Sequence, residues 1–518
     1  MAGARRWWAL GAVTLAVLAV SMDITVLSVA NPTLVGALKA SESDLQWFSS
    51  AYTLVLAAMM LPAGLLGDRY GRKKVMLISL AVFAAGSLAC AYSRSPTEFI
   101  GARILLGFAG AGLVVMAISA VAVMFSEEER PRAVSIWAAA NLIAFPIGPI
   151  LGGWLLSHYW WGWVFLMNVP VALLGLVAVA ILVPESASAV RPGIDTVGIL
   201  SSSAGLVGVT YGFIEAGQHG WGSAGTILWL LGGLALIVAF FFWERFLDRR
   251  PGGQPLLELR LFGSPSFTWG VILYAVLTLA LVGLLFEMPQ YFQGVMGTSA
   301  EGSGVRLLPV VGGLLVGLIP AAGIVKAVGA KLTAALGFAV FGIGVGLGAT
   351  TTLSSGEGFV AAWMAIAGVG TGLTMVTVAS AALAELSKER AGVGSGVLQA
   401  LKTAGAPLGA AIVGSALASA YVSRLHLAGL PPAAAAVVRQ SVFGGVTVAR
   451  VLHSPLLLTS VQGAFVHGVD VALAVSAGFA LAGLLLSLLF LPGGPRLSAE
   501  AEEELPGGTR PGGTRIAA

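Results

Sequence analysis

Apolar runs long enough to cross a bilayer alternate with short charged turns along almost the whole chain. Leu54 to Leu66 and Val75 to Tyr92 contain no charged residue, yet the turn from Gly64 to Lys74 that joins them holds Asp68, Arg69, Arg72, Lys73 and Lys74. A window of about 19 residues, the length a helix needs to span hydrocarbon, finds such runs at Trp7–Val29, Gln46–Leu66, Val75–Tyr92, Phe99–Phe125, Val134–Ser157 and Trp163–Val183. Two more follow at Thr196–Ile214 and Thr226–Trp243. The remainder gives Phe267–Phe286, Val305–Val325, Leu332–Leu353, Phe359–Leu383, Val393–Tyr421 and Phe465–Leu491. The pattern predicts an all-α integral membrane protein of fourteen spans. The first run follows Arg5 and Arg6 and is longer than a signal-peptide core, so it should remain as the first helix.

The polar stretches divide these spans unevenly. Residues 1–183 form a first group of six, and residues 266–491 a second group of six. Between them, 184–265 is a linker, rich in charge, Pro and Gly at its ends, that carries the two extra spans as an insertion would. The segment 422–464 lies between the last two spans, on the outside, and has room for a short amphipathic helix. Residues 492–518 turn to Pro, Gly and Glu, with Pro506 to Arg510 repeated at once as Pro511 to Arg515, and should be a disordered tail.

Composition narrows the function classes. At 57% hydrophobic and 10% charged residues, with a mean hydropathy of +0.92, a chain of this length is not soluble. The formal net charge of +4 reflects topology rather than nucleic-acid binding: 20 of the 28 lysines and arginines fall on one side of the fourteen-span arrangement. That side is expected to be cytoplasmic and to carry both termini, in a bacterial-type cytoplasmic membrane. A single cysteine, Cys90, rules out an intrachain disulfide and a Cys-rich metal site. No phosphate-binding G-x-x-x-x-G-K-S/T loop occurs. Neither an enzyme nor a metal site is indicated, and no cofactor is needed if an ion gradient supplies the energy.

The two groups of six echo each other. Gly148-Pro149-Ile150-Leu151-Gly152 in the fifth span has a counterpart in Gly405-Ala406-Pro407-Leu408-Gly409, the fifth span of the second group. The Gly64–Lys74 turn has a weaker one at Lys326 to Lys331, around Gly329. A duplicated six-helix unit is transporter architecture, with the site near the midplane.

These residues resemble the major facilitator superfamily, and within it the fourteen-helix drug:proton antiporters, over about residues 8 to 491. Gly64, Asp68, Arg69, Gly71, Arg72 and Lys73 match the superfamily's G-x-L-x-D-R-x-G-R-K/R turn. Met22 to Val26 and Pro32 are similar to the exporters' L-D-x-T-x-V motif, with Ser28 and Asn31 at departures from it. Arg103 and Gly107 match R-x-x-Q-G, with Leu106 in place of the glutamine. Gly148, Pro149, Gly152 and Gly153 match the antiporter signature G-P-x-x-G-G, and Trp160 to Pro170 resembles W-R-W-x-F-x-x-N-x-P. The resemblance implies export, a cytoplasmic gate at the turn and two six-helix bundles with two extra central helices.

Physical cost singles out the candidate site. A carboxylate within a span costs about 2.5 to 3.5 kcal/mol on insertion scales, so it is a functional candidate by default. Asp23 lies in the outer half of the first span, where it can trade a proton for a cationic substrate, and Arg103 enters the fourth span from the same side as its counter-charge. Glu287 and Arg306 form a second candidate pair, and Glu215 and Asp470 also fall near outer span ends. The blander reading of each is a solvated helix end or, for Arg103, a snorkelling side chain. Pro149 should bend the fifth span while its flanking glycines give a flat face for a neighbour. Asp68 does nothing for topology; it can accept from Arg72 and, by the resemblance, from a helix N-terminus of the other half as a latch. Trp137, Phe145, Tyr211, Phe286, Met288, Tyr291, Phe292 and Met375 are the aromatic and Met side chains suited to a flat lipophilic ligand.

The expected function is proton-coupled efflux of amphiphilic cations, drugs or antibiotics, by a single-copy transporter whose partners are its substrates, protons and the lipid bilayer. Two alternatives stay open: a dedicated exporter of one endogenous metabolite or lipid, and a membrane sensor or scaffold without flux.

Overall fold

A computed structural model describes residues 3–125, 129–186, 193, 195–250, 253, 255–384, 388–427 and 429–493. The first half runs through α1 (Gly3–Leu38), α2 (Glu42–Tyr70), α3 (Arg72–Ala91), α4 (Pro96–Met124), α5 (Arg130–His158), α6 (Trp163–Leu166) and α7 (Asn168–Leu182). A hairpin of α8 (Thr196–His219) and α9 (Ala224–Arg249) follows. The second half holds α10 (Pro265–Gln290), α11 (Ala300–Arg306), α12 (Leu308–Gly348), α13 (Glu357–Ala384), α14 (Lys388–Arg424), α15 (Pro432–Gln440), α16 (Val442–Val451) and α17 (Pro455–Phe490). No strand occurs among the described residues.

Twelve helical stretches among them are long and apolar enough to cross a membrane. One of these, Ala300–Gly348, is 49 residues long and breaks at Gly329, where φ is 86° and ψ 162°, so it makes two passes. The 29-residue α5, outside that set, occupies the expected fifth span. The fold therefore agrees with the expected fourteen passes. Gly71 breaks the chain between α2 and α3 in the same way, with φ 107° and ψ 129°. Both lie in the left-handed region that favours glycine, so the weak echo between the two turns is matched by a shared backbone conformation. We call the face that carries these two turns the turn face, and its opposite the far face.

Local chemistry fixes where the helices begin. Ser41 and Asp44 make a reciprocal capping box, Asp44 N donating to Ser41 Oγ at 3.2 Å and Ser41 N to Asp44 Oδ2 at 2.8 Å, which sets Glu42 as the first residue of α2. Ser95 caps α4, with Pro96 in its first turn. Some expected boundaries move. The sixth span is α6 and α7 joined at Met167, and α17 starts at Pro455 rather than Phe465. The segment 422–464 is mostly helical, and Tyr421 Oη donates to Val438 O at 2.8 Å, tying α15 to the end of α14. The tail beyond residue 493 lies outside the described residues.

Helices α1 to α7 pack on one another around one buried apolar cluster, and α10, α12, α13, α14 and α17 around two others, one towards each face. Small residues allow the closest crossings: a methyl group added at Gly317 would sit 2.1 Å from Val369 O, and one at Gly372 2.0 Å from Leu314 O. The α8–α9 hairpin rests on both halves, with the Tyr211 and Trp47 ring centroids 5.8 Å apart on α2, and Gly217 against Ser415 of α14. Its ends are clamped at the turn face. Asp195 Oδ1 accepts from Gly198 N and Trp243 Nε1, and Glu244 Oε2 from Leu257 N of the linker, at 3.0, 2.9 and 2.9 Å.

Candidate functional site: a buried ion pair and the seam between halves

Asp23 and Arg103 meet inside the first half. Arg103 Nη1 donates to Asp23 Oδ2, and the two side chains are 1% and 0% exposed. The pair is held from two further helices, α2 and α7. Arg103 Nε donates to Phe48 O at 3.0 Å, its guanidinium lies 4.4 Å from the Tyr52 ring centroid, and Asn168 Nδ2 donates to the other carboxylate oxygen, Oδ1, at 3.2 Å. Leu106, where the resembled motif has glutamine, is buried against Gly86. Arg103 therefore takes its support from α2, and Gly107 makes that possible: a Cβ there would come within 2.7 Å of Tyr52 O. Asn168 was legible as part of a motif but not as a partner of Asp23, because the contact spans 145 residues.

The glycines of the fifth span lie directly beyond this pair. Helix α5 is continuous through Pro149. A methyl at Gly148 would meet Thr25 Oγ1 at 2.0 Å, and one at Gly152 would meet Val26 Cγ2 at 2.4 Å, so α5 lies tight against the α1 turn that follows Asp23. Gly153 faces the second half instead, where a Cβ would lie 2.6 Å from Ala300 O, and Gly304 returns the contact 2.4 Å from Pro149 O. The antiporter-type motif thus touches both the Asp23 helix and the other half of the molecule.

The described hydrogen bonds between the two halves run from mid-membrane to the far face. Ser50 Oγ donates to Pro407 O at 3.3 Å, Gln290 Nε2 to Glu42 Oε1 at 3.2 Å, Gln293 Nε2 to Val29 O at 3.1 Å, and Glu301 N to Ser157 Oγ at 3.3 Å.

The remaining candidates separate. Glu287 and Arg306 do not pair. Arg306 sits on α11 beside the start of α13, where Nη2 donates to Glu357, an acceptor 51 residues away that hydropathy does not single out. Glu287 is fully buried, with neither oxygen hydrogen-bonded. Glu215 lies with Oε1 2.9 Å from His219 Nδ1 at the far end of α8, away from Asp23. Of the aromatic and Met candidates, Phe286, Met288, Tyr291 and Phe292 are buried in the second half, and Tyr211 belongs to the hairpin contact. The side chain of Phe145 lies outside the described residues. Phe292 also borders a 250 Å³ cavity at the far face, with Met296, Arg306 and Glu357.

On the turn face, Asp68 Oδ1 accepts from Arg72 Nη2 at 2.8 Å and Nε at 3.1 Å. The turn docks on the end of the sixth span through Arg72 N to Ser186 O at 2.8 Å and Lys73 Nζ to Ala180 O at 2.6 Å. Glu185, unmarked in the sequence, accepts from Lys73 N at 3.2 Å and caps the N-terminus of α3. Gly67 packs against Met116 of α4, a Cβ added at Gly64 would lie 3.6 Å from Val115 Cγ1, and Arg69 lies over the Tyr70 ring. The described hydrogen bonds of Asp68 go to Arg72, and none of them makes the expected latch to a helix N-terminus of the other half.

The family model of the Major Facilitator Superfamily matches residues 13–410. The tetracenomycin C resistance and export protein of Streptomyces glaucescens is 32% identical over 526 residues, covering 98% of this chain and 95% of that one. The multidrug efflux pump LfrA of Mycolicibacterium smegmatis is 31% identical, with 92% and 95% covered. The methyl viologen resistance protein SmvA of Salmonella typhimurium is also 31% identical, with 94% and 98% covered. Among solved structures, a bacterial homolog of the human lysosomal transporter Spinster shares the fold at a TM-score of 0.68 and 16% identity, with 95% and 98% covered. A D-xylose-proton symporter does so at 0.61 and 16%, with 94% and 98% covered.

Proposed function

We propose that this chain, which belongs to the Major Facilitator Superfamily, is a proton-coupled exporter of amphiphilic, cationic compounds that works by alternating access. It is a multi-pass membrane transporter of the bacterial type and not an enzyme. Ion, substrate charge and direction are our reading. The observation that carries it is the Asp23–Arg103 pair, a full ion pair sealed in the first half with both carboxylate oxygens answered.

Such a pair is an exchange site. Removing either charge alone leaves the other buried and uncompensated, so Asp23 can give up Arg103 only to another cation or to a proton. A cationic substrate that reaches Asp23 takes the place of the guanidinium. A proton from the opposite side then neutralises the carboxyl and releases the substrate. The bonds between halves at the far face suit a carrier open towards the turn face, with α5 and α11 as the far closure and the Asp68–Arg72 turn as the gate that must close next. In this reading the turn face is cytoplasmic, both termini lie there, the chain sits in the cytoplasmic membrane as a single copy, and the proton gradient needs no bound cofactor. Glu287, Glu215 and Arg306 are secondary sites along the path.

Substrate breadth follows from the relatives. A methyl viologen resistance protein and a multidrug pump favour flat cations and a wide range. The tetracenomycin C exporter favours the second reading, a pump dedicated to one compound. Proteoliposomes with an imposed pH gradient test the first: a lipophilic cationic dye should move against its gradient, and Asp23→Asn should abolish coupling while the protein still inserts. Absence of gradient-dependent movement for every lipophilic cation tried would refute it. A panel of unrelated toxic compounds, tested on cells with and without the chain, decides breadth. Asp68→Asn should slow efflux without reducing the amount of inserted protein.

A further inference from the structure

Lys402 is the one charged residue in the expected span Val393–Tyr421. Basic residues that orient a chain sit in its turns, so a lysine at this depth is a functional candidate. Its ammonium lies 5.2 Å from the Tyr274 ring centroid on α10 and donates to Gln399 Oε1 at 3.4 Å. Tyr274 stands well inside the expected span Phe267–Phe286, so the side chain is held across to α10 at its own depth instead of snorkelling to the turn face. No carboxylate pairs with it among the described residues. One long bond and one ring face answer only part of a group that has three hydrogens to donate.

The packing of α14 shows what Lys402 faces. Gly405 and Gly409 are turned to α10, where an added Cβ would lie 2.5 Å from Ala275 O and 2.3 Å from Leu279 O. Gly414 is turned to α2, 2.9 Å from Gln46 Cγ by the same measure, and Ala400 is buried in the first half's apolar cluster. At ~100° per residue, Lys402 and Gln399 fall on the strip between these two sides. That strip faces the gap between α10 and α2, which belong to different halves, and both residues are partly exposed on it. Pro407, further along α14, accepts from Ser50 in the described bond between the halves that lies nearest the turn face. Lys402 is about 8 Å nearer the turn face than that bond, at ~1.5 Å per residue, on the open side of the seam. The Asp23–Arg103 pair lies near the depth of the bond itself, since Arg103 Nε donates to Phe48 O, one residue removed from Ser50 on α2. A compound entering from the turn face meets Lys402 before it reaches the depth of Asp23.

We propose that Lys402 is an anion subsite on the export path, and that the compounds carried best bear a carboxylate or phenolate besides their cationic centre. The inference rests on the exporter reading above and names the second charge of its ligand. An anionic group on Lys402 makes a charge-assisted hydrogen bond that an ester of the same shape cannot match. The same ammonium repels a ligand whose only charge is positive, so one residue favours zwitterionic amphiphiles and holds simple cations to weaker binding.

Rhodamine B, a xanthylium cation that carries a carboxylate, and its ethyl ester, which keeps the cation alone, are the probes. Their dissociation constants for the full chain in nanodiscs, read by fluorescence anisotropy near neutral pH against empty nanodiscs, give the preference for acid over ester. Lys402→Gln should lower that preference about tenfold, the size of one hydrogen bond to a charged group, and Lys402→Arg should keep most of it. Binding of the ester by the same preparations shows that the variants are folded. If Lys402→Gln leaves the preference unchanged, if Lys402→Arg loses it as fully, or if the wild type binds neither dye, the subsite is refuted. Efflux of both dyes from proteoliposomes under an imposed pH gradient separates the two claims. A Lys402-dependent preference without gradient-driven movement of either dye supports the subsite and removes the exporter reading; gradient-driven movement with a preference indifferent to Lys402 removes the subsite alone.

Discussion

The first half and the second each bury a carboxyl deeply, Asp23 and Glu287, and the two are held in opposite ways. In the first, Asp23 has an arginine on one oxygen and an asparagine on the other, and the arginine is itself held by Phe48 O and the Tyr52 ring. In the second, Glu287 is as deeply buried and nothing is bonded to either oxygen. The contrast separates two kinds of binding. A site that carries its own counter-charge can release it only in exchange for another charge, which suits competition between a substrate cation and a proton. A site without a counter-charge has nothing to exchange and must acquire its partner from the medium. The first helix of each half thus carries a buried carboxyl, with a counter-charge on α1 and without one on α10.

The largest test of this contrast is Arg103→Ala. Removing one partner of a buried pair strands the other, at a cost of about 3 to 5 kcal/mol. The purified variant should unfold at clearly lower temperature, and the double variant Asp23→Leu with Arg103→Met should regain most of the loss. If the single variant is as stable as the wild type, the two halves do not differ in the way described. Asn168→Ala comes next. It leaves Asp23 Oδ1 without a donor, so the purified variant should be less stable by about 1 to 3 kcal/mol, and the same change should cost less in the Asp23→Leu, Arg103→Met background, where no carboxylate is left to support.

Gly153→Ala probes the close packing of α5 on α11 that joins the two halves. The new methyl would press on Ala300 O and Glu301 Cα, at 2.6 and 2.8 Å, both backbone atoms that cannot swing aside. Overpacking of this kind costs about 1 to 3 kcal/mol, and here only in the state in which α5 and α11 touch. Efflux should fall severalfold with little loss of inserted protein, and spin labels at Arg94 and Ser354, exposed far-face positions of the first and second halves, should show the far face more open in a Cys90→Ala background. Gly101→Ala, where a methyl meets nothing within 4 Å, should leave both readouts unchanged.

Much of the first half's site was legible because it is written as cost along a line. A charge inside an apolar run marks itself, so Asp23 and Arg103 stand out without any structure, and Gly71 is marked by the turn it must make. Choice of partner is a relation between helices, and there the line gives out. Arg306 was matched with Glu287 because both fall near outer span ends, whereas the fold puts Arg306 beside Glu357. Glu42 reads as an ordinary acidic residue in a helix first turn, which it also is. Only the meeting of α2 with α10 shows that it faces Gln290. Glu185 was hidden in a polar stretch until the turn was seen to dock on it. The fold class, by contrast, follows from hydropathy alone, since lipid leaves a spanning backbone few other solutions than a helix.

The smallest effect should come from Glu287→Leu, and its smallness is the sharpest form of the comparison. Removing a group that leaves a bonded partner stranded is expensive, but Glu287 has no hydrogen-bonded partner to strand. Its replacement by an apolar side chain of similar size, among Leu284 and Met288 of the same buried cluster, removes unanswered acceptors and adds packing. The thermal stability of the variant should lie within about 1 kcal/mol of wild type, or above it. That neutrality must not extend to transport. If Glu287 lies on the proton path as proposed, pH-gradient-driven efflux should fall while the folded protein is unharmed. A strongly destabilised Glu287→Leu would mean that the carboxyl is structurally partnered after all, and the difference between the halves would be one of degree.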